Sequence, residues 1–160
     1  MNYEFLFESK IIKAHDPVDL NTAAITGARI KADGCERIAI VCQMGTSVAA
    51  TVQLTLKQHN AVAAGTSKVL AVENAYFVKA AAATVFTKVE LSSAQSLFDV
   101  SATFAADAGY LVIEVLPEDL DVNNGFAWIS VDIADSTAAK LAATSYIKYD
   151  CKQKPAYEVA

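Results

Sequence analysis

Residues 110–133, YLVIEVLPEDLDVNNGFAWISVDI, constrain this chain more than any other stretch. Two runs rich in β-branched and aromatic residues, 110–116 and 126–133, flank an acidic, turn-forming segment. In the second run Phe126, Trp128, Ser130 and Asp132 alternate with Ala127, Ile129, Val131 and Ile133, the two-residue period of a strand. The first run is apolar apart from Glu114, as in a strand covered on both faces. Between them Pro117 removes a ladder donor, Glu118-Asp119 can open a short helical turn, and Asn124-Gly125 favours positive φ. The stretch reads as the central strand pair of an all-β domain, with Trp128 as core anchor and Tyr110, Phe98 and Phe86 around it.

The rest of the chain continues the pattern. Residues 36–44, ERIAIVCQM, follow an Asp33-Gly34 turn and place Ile38, Ile40 and Cys42 on one face, so Cys42 reads as a packing thiol. Residues 50–59 point Val52, Leu54 and Leu56 inward and Gln53, Thr55 and Lys57 outward. The two segments read as a hairpin across 45–49, with His59 in solvent at its end. Residues 60–75 are a soft connection. Shorter strands follow at 76–79, 85–91 and 97–100, with a further one at Thr103-Phe104. Ala138 to Ala143 has the composition of a helical turn, and 144–150, TSYIKYD, reads as the last strand.

At the N-terminus Tyr3, Phe5 and Phe7 share one strand face, which predicts a first strand or a docking arm over residues 1–13. His15-Asp16-Pro17 marks a turn, and residues 18–26 read as irregular chain or a weak edge. Residues 151–160 read as an extended tail bearing Tyr157. About eight to nine short strands, with turn signals every 8–15 residues and no strong amphipathic helix, predict a single β-sandwich domain over 1–160, of jelly-roll or immunoglobulin-like topology.

Composition narrows the function classes. The 160 residues suffice for a core without covalent staples. The 54% hydrophobic content includes 30 alanines, each of which buries little area. No apolar run reaches membrane-spanning length, and Glu4 and Glu8 oppose a secretion signal. Three cysteines without paired spacing oppose a disulfide framework. A net charge of −5 opposes a nucleic-acid sleeve, which needs clustered cations.

The motifs of common chemistries are missing from the sequence. No two of the six glycines are spaced as a dinucleotide fingerprint requires, and there is neither a phosphate loop nor a nucleophile elbow. Two isolated histidines cannot form a histidine-based metal cluster. Asp119-x-Asp121-x-Asn123 imitates the start of a calcium loop, but Gly125 comes one position late and Ser130 stands where the distal acid belongs. These residues are expected in a solvated turn, with no cofactor or metal.

The TLKQ strand at 55–58, the GTSKVL connection at 65–70, the FTKVEL strand at 86–91, the acidic segment after Tyr110 and the closing YIKYD resemble structural proteins of tailed-bacteriophage virions. Within that group they most resemble head-decoration, or capsid cement, proteins. The resemblance covers residues 36–150. It implies a non-enzymatic β-sandwich, made in the host cytoplasm, that binds the exterior of the major capsid protein shell, commonly as a trimer. Tyr3, Phe5, Phe7 and Tyr157 are the expected interaction residues. No nucleic-acid or membrane partner is expected. A head–tail connector or tail protein, or a carbohydrate-binding sandwich module, is the alternative.

Overall fold

The computed structural model describes residues 9–73 and 75–151. Strands β1 (Lys10–Asp19), β2 (Ile25–Thr26), β3 (Ile30–Lys31), β4 (Cys35–Met44), β5 (Gln53–His59), β6 (Ser67–Val69), β7 (Ala75–Ala80), β8 (Thr87–Glu90) and β9 (Leu97–Asp99) come first. A single helical turn, α1 (Ser101–Phe104), precedes β10 (Gly109–Val115). Two 3-10 turns, Pro117–Asp119 and Val122–Asn124, lead to β11 (Trp128–Ile133), and β12 (Leu141–Cys151) closes the described chain. Six strands form one sheet in the order β1-β12-β4-β10-β7-β8. The other sheet runs β2-β11-β5-β6, with β3 also on β11 and β9 on β5. Every strand pairing is antiparallel. The result is an all-β sandwich.

The core lies between the inner faces, where the two-residue period delivers its apolar side chains. Ile38, Ile40 and Cys42 of β4 and Leu111, Ile113 and Val115 of β10 come from one sheet, Leu54 and Leu56 of β5 and Ile129, Val131 and Ile133 of β11 from the other. Each large aliphatic buried this way contributes about 1.5–3 kcal/mol. The aromatic anchors are Tyr146, Phe98 and Phe104, all essentially inaccessible to solvent. Trp128 is only half-buried and lies on an outer face, while Tyr110 and Phe86 are exposed. Of the aromatics predicted for the core, Phe98 alone is there, stacked edge-on to Tyr76 at 5.6 Å.

The two strands of the 110–133 stretch do not pair with each other. β10 sits between β4 and β7 in one sheet, and β11 sits on β5 in the other. The acidic segment is a crossover between sheets, closed by Gly125 in the left-handed region at φ 81°. The 45–49 loop is likewise a crossover, so β4 and β5 are not a hairpin. β10 also has one face open, with Tyr110 exposed and Val112 and Glu114 half-buried. Three local expectations fail as well. β1 runs through His15-Asp16-Pro17 by shifting register on either side of His15, which an edge strand tolerates even with a proline. Thr103-Phe104 belongs to α1, and residues 141–143 extend β12.

A seam closes one side of the sandwich. Between β2 and β3 the chain leaves the β11 ladder, and the Ala28 N–H bonds the Ala14 carbonyl of β1 in the opposite sheet at 2.8 Å. The Tyr146 hydroxyl fills the gap, accepting from the Val131 N–H at 3.1 Å and donating to the Ala28 carbonyl at 3.0 Å. Gly27 is required here because a Cβ would stand 2.6 Å from the Val131 carbonyl oxygen. At one end of the sandwich the buried Lys140 gathers three loops, its Nζ donating to the carbonyls of Gly45 (2.9 Å), Asp107 (3.0 Å) and Phe104. Burial lowers its pKa, and the charge of Asp107 acts in the opposite sense.

Candidate interaction surface

The outer face of the six-stranded sheet is the most distinctive surface of the molecule. Strand register assigns its rows. Lys13, Ser145, Val41, Val112, Phe77 and Lys88 stand side by side across all six strands. In the row beside them Ile11, Ile147, Ala39 and Glu114 follow one another. On the other side Ala143, Gln43, Tyr110 and Lys79 do the same. The centre is therefore apolar, and lysines mark both edges. This face points away from the second sheet, and its central side chains Val41, Val112, Phe77 and Ile147 are half-buried, with Ala39 buried. Ile11 (57% exposed) and Phe86 (47% exposed) extend the apolar surface toward the edges.

Geometry sets its size. Six strands about 4.8 Å apart and seven residues of rise give roughly 500–600 Å² in projection. That extent is the whole face, with Lys13, Lys88, Lys79, Ser145, Gln43 and Glu114 included; the apolar centre is a part of it, and exposed apolar patches mark contact surfaces. Its lower border is polar: Tyr149 donates to Glu114, and Arg37 lies 3.9 Å from both Glu114 and Asp150. Burial, then the neighbouring Glu114, pushes the Tyr149 phenol up to about 12. Past this border a shallow depression of about 450 Å³ is lined by Cys35, Glu36, Arg37, Leu116, Pro117 and Glu118.

The opposite outer face is polar. Lys57 and Asp132 pair at 2.6 Å. His59 is buried rather than in solvent, because the 60–66 loop and Arg29 fold over it. Arg29 donates to the Ala61 and Ala64 carbonyls at 3.0 and 3.1 Å and reaches the Ser67 hydroxyl at 3.4 Å. The His59 Nδ1 lies 2.6 Å from Ser67 Oγ and its Nε2 lies 2.8 Å from Ser130 Oγ. Burial first, then the Arg29 charge, lowers the His59 pKa. A neutral imidazole between two hydroxyls is an acid–base unit in principle, but Ser130 has no solvent access. Here the unit knits β5, β6 and β11 together.

The acidic turn is a structural device. Asp119 accepts from the Leu116 N–H at 2.9 Å and so caps its own 3-10 turn. Asp121 accepts from Lys68 and from the Asn124 amide, which lower its pKa. The two carboxylates are thus committed to different local partners. Lys68 also lies 4.4 Å above the Phe126 ring, a cation–π contact.

Tyr3, Phe5, Phe7 and Tyr157 lie outside the described residues, as do residues 1–8 of the predicted arm over 1–13 and most of the tail, while Lys10 to Lys13 of that arm are β1 residues paired with β12 of the same chain. Their attachment points are nevertheless close together. Lys10 opposes Lys148 and Ile11 opposes Ile147, so both ends of the described chain reach one corner of the six-stranded sheet. Sequence reading missed the apolar outer face. Val112, Ile147 and Phe77 were legible as strand residues, but which face they join depends on the order of strands.

No protein-family model and no curated protein matches the chain. Among solved structures, the SPBc2 prophage-derived protein YomS aligns with a TM-score of 0.45 at 8% identity, covering 88% of this chain and 94% of that one. The CBM22-1–GH10 modules of Clostridium thermocellum xylanase 10B, complexed with xylohexaose, align at 0.36 and 10% identity over 100% of this chain and 30% of that one. A structure of infectious bursal disease virus, Gt strain, aligns at 0.27 and 8% identity over 95% and 46%. At such scores and identities the likeness assigns neither family nor function.

Proposed function

We propose that this is a non-enzymatic structural protein of a tailed-phage virion, a decoration protein that lays the outer face of its six-stranded sheet on the exterior of the major capsid shell. The half-buried apolar centre of that face, turned away from the second sheet, carries the reading. Even the whole face, at roughly 500–600 Å² in projection, falls short of the roughly 800 Å² per partner of a standard interface. The deficit fits a protein whose contacts repeat over a symmetric shell and whose terminal segments add to the grip. Tyr3, Phe5, Phe7 and Tyr157 belong to segments that join the body at the corner of this same sheet, and in this reading they tie neighbouring copies into a trimer. The resemblance of residues 36–150 to capsid cement proteins supports the assignment. The net charge of −5 suits a solvent-facing exterior away from packaged DNA. The role calls for no cofactor, nucleic acid or membrane.

A double substitution, Phe77→Glu with Val112→Lys, tests it by placing charge on two directly opposed residues of the face. Both side chains point away from the core and are half-buried, so the circular dichroism spectrum should be retained, with the melting temperature lowered by no more than several degrees. Co-sedimentation with expanded capsids should be lost. A folded variant that still decorates capsids overturns the reading. A second reading has its own observation: Phe77, Tyr110 and Phe86 bring aromatic rings to this one sheet face, as a carbohydrate-binding module would. Glycan-array binding that the same double variant abolishes, without capsid binding by the wild type, would favour it.

A further inference from the structure

The fold brings together two cysteines that are 116 positions apart in the chain. Cys35 opens β4 and Cys151 ends β12, and the register makes them direct cross-strand partners. Asp150, in the left-handed region at φ 54°, interrupts the strand between Tyr149 and Cys151. The pairing survives it, since Tyr149 opposes Arg37 and Cys151 opposes Cys35. Directly opposed residues of an antiparallel pair have Cα atoms about 4.5–5.5 Å apart and project to the same side. Disulfides require about 4.4–6.8 Å. The two thiols also act on each other: after burial and the Lys148 charge, Cys151 is among the groups that set the Cys35 pKa.

Their exposures are complementary. Cys151 is partly open to solvent and Cys35 is buried beside the shallow depression. The third cysteine, Cys42, lies deep in the core, where burial pushes its thiol up to about 11. It pairs with Thr144 across the strands and has no cysteine opposite.

We propose that Cys35 and Cys151 are an oxidation site that forms an intramolecular disulfide, stapling the end of β12 to the start of β4 and anchoring the root of residues 152–160. The oxidant is a small disulfide of the glutathione class. The Cys151 thiolate attacks it, forming a mixed disulfide and releasing one thiolate. The Cys35 thiolate then attacks the Cys151 sulfur, closing the protein disulfide and releasing the second thiolate. Each cysteine gives up one proton, and two electrons pass to the oxidant. The bond closes a loop of roughly 115 residues, a length at which cross-linking restricts the unfolded chain strongly. The partly exposed thiol reacts first and the buried one resolves.

Oxidised glutathione applied to the folded, reduced full-length protein tests this. Thiols are counted after denaturation, and tryptic peptides are mapped by mass spectrometry without reduction. The expected result is one remaining thiol, on Cys42, and a cross-linked pair of peptides 32–37 and 149–152. The oxidised protein should melt several degrees higher than the reduced form. Cys35→Ser should stop at the mixed disulfide on Cys151, and Cys151→Ser should leave Cys35 and Cys42 unmodified. Retention of all three thiols, a cross-link that includes Cys42, or pairing only between separate chains overturns the proposal.

Discussion

Tyr146→Phe should destabilise the protein by about 2 kcal/mol, although it removes one oxygen atom. The ring is fully buried, and phenylalanine keeps its volume and apolar contacts, so no large cavity opens. What is lost is the hydroxyl at the seam, which serves the Val131 N–H and the Ala28 carbonyl together. Val131 has no solvent access, so its N–H is left without a partner, a loss of about 1–3 kcal/mol. Ala28 is exposed, and its carbonyl can turn to water, so that side adds little. For a chain of this length, 2 kcal/mol lowers the melting temperature by roughly 4–8 °C. Urea unfolding followed by circular dichroism should show a lower midpoint with an unchanged slope, because the area exposed on unfolding is the same. The buried environment raises the phenol pKa, so the hydroxyl stays protonated and the effect should not vary between pH 6 and 9. A variant that melts within about a degree of the wild type would refute the view that this hydroxyl closes the seam between the sheets.

Two further outcomes follow from burial and charge. Trp128→Ala should cost only about 1–2 kcal/mol in urea unfolding, below the range for a fully buried aromatic, because the indole is half-buried on an outer face; a loss of 4 kcal/mol or more would return Trp128 to the core. The folded-state pKa of His59 lies below its ordinary 6.5, so its contribution to stability is complete above pH 6.5 and is lost as pH falls through that value toward the folded pKa. NMR titration of the His59 ring should give a midpoint below 6.5, and a midpoint at or above it would contradict the buried Ser67–His59–Ser130 arrangement.

Alternation alone determined much of this protein. The inward sets Ile38, Ile40 and Cys42, then Val52, Leu54 and Leu56, then Ile129, Val131 and Ile133 were readable because a strand's side-chain period is local and needs no partner. The all-β class followed from the same evidence, while the short helical turn at Glu118-Asp119 and the left-handed Gly125 followed from local turn chemistry. Tertiary structure alone decided which strands became neighbours. A crossover between sheets and a hairpin within one sheet can carry the same turn residues, so the segments after Met44 and Val115 gave no local sign that they change sheets. Trp128 and Tyr110 were misplaced for that reason: a strand's period separates two faces but does not say which is covered. His59 was buried by the 60–66 loop, held down by Arg29 from about 30 residues away in the chain. The apolar outer sheet face and the opposition of Cys35 to Cys151 likewise exist only once β12 lies between β1 and β4. That order is set by burial and hydrogen bonding summed over both sheets, and no local segment encodes it.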